Sequence, residues 1–251
     1  MIKNKIYPLI WRILLCLIGV VGLGIMFGIS SNVGQFFEKF VYFTVQSNIF
    51  VVILFVYLAI KSCFDIQKKG LLGQSPHISP TWQVALVFYI TITFVVYAVL
   101  LSGADFSMDA SATTKVLYKM SNIMVHYIVP LMAIFDWIMF VPHGKLKFVD
   151  AFKWLIYPVL YLIFIVVRAL VGGYLNEGRP NAAGNPSKYP YAFVDFDVLG
   201  AKKGAITVFC FLIAFILLGI IFVCLDKLFA KAQEKLESKF EKVEKASSAK
   251  E

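Results

Sequence analysis

The sequence predicts an all-α polytopic membrane protein, a bundle of six transmembrane helices with both termini in the cytoplasm. Hydrophobic residues make up 60% of the chain and charged residues only 16%, outside the balance of a water-soluble domain. The apolar residues gather into six runs of about twenty, each long enough to cross a hydrocarbon core of ~30 Å at 1.5 Å per residue. The charges lie between those runs, and they lie unevenly.

The runs fall at 7–29, 40–60, 82–101, 117–140, 151–172 and 204–225. None alternates apolar with polar residues, so a strand reading fails, and only helices or closed barrels satisfy every backbone group in lipid. The first run follows a basic start, as in a signal peptide, but it is long and has no small-residue cleavage pattern before Ser30, so it reads as a retained span. These runs make residues 1–225 the transmembrane domain.

Orientation follows from the positive charges. With Arg12 and Arg168 inside spans, one side collects fifteen, including Lys61, Lys68, Lys69, Lys145, Lys147 and seven tail lysines, against seven on the other, among them Lys39, Lys115, Lys119 and Lys188. The positive-inside rule then places both termini in the cytoplasm.

Residues 226–251 turn to Lys, Glu, Ala and Ser, with Leu228, Ala232, Leu236, Phe240 and Val243 at helical spacing beside a stripe of Lys231, Lys235, Lys239 and Lys242. The tail reads as a charged amphipathic helix on anionic inner-leaflet lipids, each lysine adding on the order of 1 kcal/mol. A solvated helix is the other reading. The connection 173–203, rich in Gly, Pro and Asn, reads either as a cap over the bundle or as a disordered crossover.

Several chemistries lose their usual signatures. Cys16, Cys63, Cys210 and Cys224 have neither paired nor metal-ligand spacing and read as reduced packing residues. His77 and His143 stand in short loops beside prolines, read as solvated, and no metal site is expected. There is no Gly-rich phosphate loop, no His-Glu-x-x-His run and no intramembrane carboxylate pair, and nothing calls for a cofactor or a nucleic acid.

The informative residues are polar ones inside the spans. Counting from Lys39, Thr44 lies about 7–8 Å deep, and from Lys119, His126 lies about 10 Å deep. Arg168, on a span of the opposite sense, lies about 8 Å below the same face. Ser47 and Asn48 share the helix face of Thr44, and Asn122 shares that of His126. Pro130 deprives the His126 carbonyl of its helical partner, which bends the helix beside the imidazole.

Each of these residues also has an ordinary use. Threonine, serine and asparagine bond their own backbone or a neighbouring helix, a buried histidine can be an interhelical hydrogen bond, and Arg168 can snorkel. Asp136, deep on the inner side, pairs with Arg12 as a structural ion pair.

Three motifs carry a resemblance: Tyr42-Phe43-Thr44-Val45-Gln46-Ser47-Asn48, then Asn122, His126 and Pro130 followed by Asp136-Trp137, then Tyr189-Pro190-Tyr191-Ala192-Phe193-Val194-Asp195. In motif order and span number the chain resembles the androgen-induced six-span membrane protein family, in its bacterial branch. That resemblance implies a multi-pass protein of the bacterial cell membrane. Its characterised animal members are intramembrane hydrolases of fatty acid esters of hydroxy fatty acids, using a threonine nucleophile and a histidine.

Carried onto matching positions, the resemblance makes Thr44 the nucleophile and His126 the general base, with a membrane fatty acyl ester as substrate. Ser47, Asn48 or Arg168 would donate to the oxyanion, or Arg168 would clamp a substrate carboxylate. Asn122 or Asn48 would hold the His126 tautomer, and Tyr191 and Asp195 of the third motif would bind substrate or support the site. A small-molecule transporter or lipid-binding protein using the same polar layer is the alternative, since intramembrane ionisable groups also mark transport routes. A partner-binding role through the basic tail is a third.

Overall fold

The computed structural model describes residues 4–30, 33–102, 111–175 and 186–248. Helix α1 spans Ile6–Gly28, a short α2 spans Val33–Glu38 and leads into a 3-10 turn at Lys39–Val41, and α3 spans Phe43–Lys69. Helix α4, Pro80–Val96, continues through a π-helical turn at Tyr97–Leu101. Helices α5 (Ala112–Ile123) and α6 (Val129–Phe140) form one rod joined by a second π-helical turn, Met124–Ile128. Helices α7 (Phe148–Lys153) and α8 (Ile156–Val171) follow, then a 3-10 turn at Ala192–Val194 and the long α9, Phe196–Ser248, broken at Gly200 where φ is 70°.

These elements make six rods long and apolar enough to cross a membrane, and the described residues contain no strand. Helix α4 is the central one. It buries residues on all sides from Gln83 to Thr93, whereas the other rods each leave a broad apolar face uncovered. Helix α1 packs on α3, α5 and α6, α4 packs between α3 and α6, and α9 packs on α7 and on the 192–194 turn. The core runs through Leu15, Phe55, Leu58, Phe88, Trp137 and Phe222.

Two glycines set the spacing of α1 against its neighbours. A Cβ on Gly19 would stand 2.5 Å from Val52, and one on Gly22 would stand 2.9 Å from Met124, so α1 seats directly on α3 and on the π-turn of the α5–α6 rod. Ser121 on α5 donates to the Gly22 carbonyl at 2.9 Å and locks that contact. The α3 and α5–α6 rods are thereby registered against one common partner.

At one end of the bundle, Arg12 and Asp136 form a fully buried ion pair, Nε to Oδ1 2.8 Å. Asp226 on α9 anchors the 141–147 connection at the same end, accepting from the Leu146 N–H at 2.9 Å and from His143 Nδ1 at 3.3 Å. His143 is therefore not solvated, as its loop position suggested. Its other nitrogen faces the Ile138 carbonyl at 2.9 Å, and the rings of Trp137 and Phe229 enclose it.

The spans differ from the sequence reading at their ends. The second begins at Phe43 rather than 40 and runs to Lys69 rather than 60, the fourth begins at Ala112 rather than 117, and the fifth begins at Phe148 rather than 151. The sixth runs from Phe196 into the tail without a break at 226, and other ends shift as well. The cysteines are free, but three of the four lie exposed on helix surfaces and only Cys16 packs partly inside. The middle of the 173–203 connection, residues 176–185, lies outside the described residues, as do Lys3, Arg179, Lys250 and the side chains of Leu236, Lys239, Phe240, Lys242 and Val243.

Candidate functional site

Thr44 owes its position to the way α3 starts. The 3-10 turn at Lys39–Val41 ends in extended Tyr42 (φ −80°, ψ 132°), so helix geometry begins only at Phe43 and Thr44 stands in the first turn. Tyr161 of α8 staples this entry, donating its hydroxyl to the Val41 carbonyl at 2.9 Å and accepting the Phe43 N–H at 3.2 Å. Lys39, expected at the interface, is buried.

His126 lies within the wide turn at Met124–Ile128, whose altered pitch frees carbonyl groups that a regular helix would commit. Its Nδ1 faces the Asn122 carbonyl at 3.1 Å, and its Nε2 faces Thr44 Oγ1 at 3.2 Å. A carbonyl only accepts, so Nδ1 carries the hydrogen and Nε2 presents a lone pair to the threonine hydroxyl. The tautomer is set by the Asn122 backbone, not by an asparagine side chain. Tyr97 lies flat on the imidazole, with centroids 3.8 Å apart and planes at 20°.

Asn48 and Ser47 hold the threonine from behind. Asn48 Nδ2 donates to the Thr44 carbonyl at 2.8 Å and to the Val125 carbonyl at 3.0 Å, tying the first turn of α3 to the turn that carries His126. Because both neighbours of Nδ2 are acceptors, the amide orientation is fixed, and buried Oδ1 has no partner. Ser47 donates to the Thr44 carbonyl at 3.1 Å and contacts Thr93 Oγ1 at 2.7 Å.

The third motif folds as a short braced segment. Asp195 caps α9, accepting from the Asp197 and Val198 N–H groups at 3.1 and 3.3 Å, and its other oxygen takes the Ser187 hydroxyl at 2.7 Å. This brace delivers Tyr191 and Phe193, stacked 5.0 Å apart, over the start of α3. Tyr191 lines the same cavity as Thr44 and Tyr161. Burial pushes the Tyr191 phenol above its ordinary pKa, which keeps it protonated.

Arg168 does not join this group. Its Nη1 donates to the Lys188 carbonyl at 2.8 Å and so pins the returning connection to α8. Thr44, Thr93, Tyr97, Tyr161 and Tyr191 give the polar groups of a partly open cavity, about 740 Å³ with the open solvent at its mouth included, whose other walls are mostly apolar residues of α4, α8 and α9. His126 stands behind Thr44, outside that lining. Thr93 on α4, Tyr97 one turn on in the π-helical turn, and Tyr161 on α8 were not singled out from the sequence. Their only signal was a polar tip within an otherwise apolar run. Among the described residues no cluster of His, Cys, Asp or Glu could hold a metal ion.

Comparison with protein-family models, curated proteins and solved structures gives no match for this chain.

Proposed function

We propose that the protein is an intramembrane hydrolase of fatty acyl esters, with Thr44 as nucleophile and His126 as general base. The observation that carries this reading is the 3.2 Å contact between Thr44 Oγ1 and the unprotonated Nε2 of His126, facing an apolar cavity. A nucleophile, a base and a group that orients the base are the parts acyl transfer needs. Here the orienting group is the Asn122 carbonyl.

Thr44 Oγ1 attacks the ester carbonyl carbon while its proton passes to His126 Nε2. The tetrahedral intermediate collapses, the bond to the alcohol oxygen breaks, and that oxygen takes the proton back from Nε2. Water then repeats the sequence on the threonine ester and releases the fatty acid. The apolar lining of the cavity suits an acyl chain rather than a polar substrate. The motif resemblance supports the same chemistry, in a bacterial cell membrane with both termini cytoplasmic and the tail lysines on anionic lipid.

The test uses the full chain in lipid nanodiscs with p-nitrophenyl octanoate and a branched fatty acid ester of a hydroxy fatty acid. Thr44→Ala and His126→Ala should each lower kcat by about 10⁴-fold or more, and a fluorophosphonate should label Thr44. Unchanged turnover in either variant removes the dyad. Binding of a labelled fatty acid without any product would select the lipid-binding alternative.

A further inference from the structure

We infer that Tyr97 is a positioning residue of this site, its ring face stabilising the positive charge that His126 gains when it takes the proton of Thr44. The inference rests on the hydrolase reading above and adds the part that reading lacks, a partner for the charged base.

A general base buried among apolar helices meets its difficulty at the moment it works. His126 starts neutral, with Nδ1–H on the Asn122 carbonyl and Nε2 toward Thr44 Oγ1. As Oγ1 forms the new bond to the ester carbon, its proton moves to Nε2 and the imidazole carries a full positive charge. That charge is almost sealed from solvent, since His126 is 6% exposed. A buried charge without a partner is costly. Ser-His-Asp sites offset the cost with a carboxylate on the second ring nitrogen. His126 has no carboxylate on either nitrogen, because one faces a backbone carbonyl and the other a hydroxyl.

The ring face supplies the compensation that the ring edge lacks. Tyr97 and His126 stack with centroids 3.8 Å apart and planes at 20°. That is well inside the ~6 Å over which an aromatic face attracts a cation, and the attraction grows when both groups are out of water. Tyr97 is buried like its partner. A neutral imidazole responds weakly to the negative face of the phenol and an imidazolium strongly, so the contact strengthens as the charge develops. An interaction of that kind lowers the barrier instead of tightening substrate binding. Tyr97 neither gives nor takes a proton. The proton on Nε2 passes to the departing alcohol oxygen, and the imidazole returns to its neutral form.

The stack is held before any ester arrives. Tyr127 meets Tyr97 edge-on at 5.6 Å, and Phe94 meets Tyr127 edge-on at 5.8 Å, so a row of aromatic rings backs the one that covers the imidazole. Such preorganisation means that no reorientation is needed when the charge appears.

The experiment keeps the shape of the ring and drains its face. Position 97 is changed from Tyr to Phe, then to 4-fluoro-, 3,5-difluoro- and 3,4,5-trifluorophenylalanine, in the full chain in lipid nanodiscs. The readouts are turnover of p-nitrophenyl octanoate and the rate of fluorophosphonate labelling at Thr44. Tyr97→Phe should keep kcat within about threefold, because Phe and Tyr present similar faces. Each added fluorine should lower kcat further, to about 10- to 30-fold below Tyr97→Phe at the trifluoro ring, with KM and the unfolding midpoint unchanged. Acylation, deacylation and labelling all pass through the charged imidazole, so kcat and the labelling rate should fall together. The same series at Phe94, whose ring meets Tyr127, should be flat.

A flat series at position 97, an equal decline at Phe94, or a loss that falls on KM or the unfolding midpoint instead overturns the inference while the dyad stands. A wild-type chain that neither hydrolyses the ester nor takes a fluorophosphonate on Thr44 brings down the hydrolase reading and this inference together.

Discussion

Two polar clusters are buried in this apolar bundle, one at each end, and they differ in how completely their hydrogen-bonding capacity is used. Around Arg12 and Asp136, the guanidinium meets both carboxylate oxygens at 2.8 and 3.3 Å. It also donates to Ser75 Oγ and the Pro76 carbonyl, while Gln83 donates to Asp136. Around Thr44, by contrast, a histidine nitrogen offers a lone pair, Asn48 Oδ1 is unpartnered, and the side chains border a cavity. A saturated buried network holds helices together, and an unsaturated one beside open space is equipped to receive something.

The comparison breaks most visibly at the ion pair. Asp136→Ala leaves the guanidinium buried without its counter-charge and should cost about 3–5 kcal/mol, read as a lower unfolding midpoint in detergent. Replacing both partners, Arg12→Met with Asp136→Leu, should recover most of that loss, because a matched apolar pair avoids burying either charge. An Asp136→Ala protein as stable as wild type would remove the structural role.

A smaller effect is expected at Asp195, which touches neither cluster directly. Asp195→Ala removes the cap of α9 and should cost about 1–2 kcal/mol. Turnover should fall as well, since the segment bearing Tyr191 loses its brace. Full activity at reduced stability would show that Tyr191 is held by its ring contacts alone.

The smallest stability change belongs to the dyad. Thr44→Val keeps the shape of the side chain and deletes one hydrogen bond, so the unfolding free energy should move by about 1 kcal/mol or less. The same variant should take no fluorophosphonate. A large destabilisation would put Thr44 with Arg12 and Asp136 as scaffold.

The six rods were legible because a bilayer demands long apolar runs, and composition records that demand directly. The Arg12–Asp136 contact was legible because a deep carboxylate in an apolar span needs a counter-charge, and Arg12 was near in depth. The level of Thr44 and His126 could be counted from lysines, although Lys39 turned out buried and α3 starts three residues later than its apolar run. That late start was hidden because Phe40, Val41 and Tyr42 are as apolar as a helix interior. It decides the site, since it places Thr44 in the first turn of α3 beside the Tyr161 staple. The position of Arg168 against Lys188 depends on the chain path after α8, which no periodicity encodes.

Tyr97 and His126 stack face to face, and each sits in a π-helical turn. Such a turn amounts to one residue inserted into a helix, and each residue advances a regular helix by about 100°. The α5–α6 rod must aim His126 at Thr44 and Asp136 at Arg12, and the inserted residue sets the angular phase between those two duties. Deleting any one residue of 124–128 would leave the rod's length and hydropathy almost untouched yet rotate one half against the other. Either the imidazole or the carboxylate would then face the wrong neighbour, so this stretch should reject single-residue deletions more sharply than it rejects apolar substitutions.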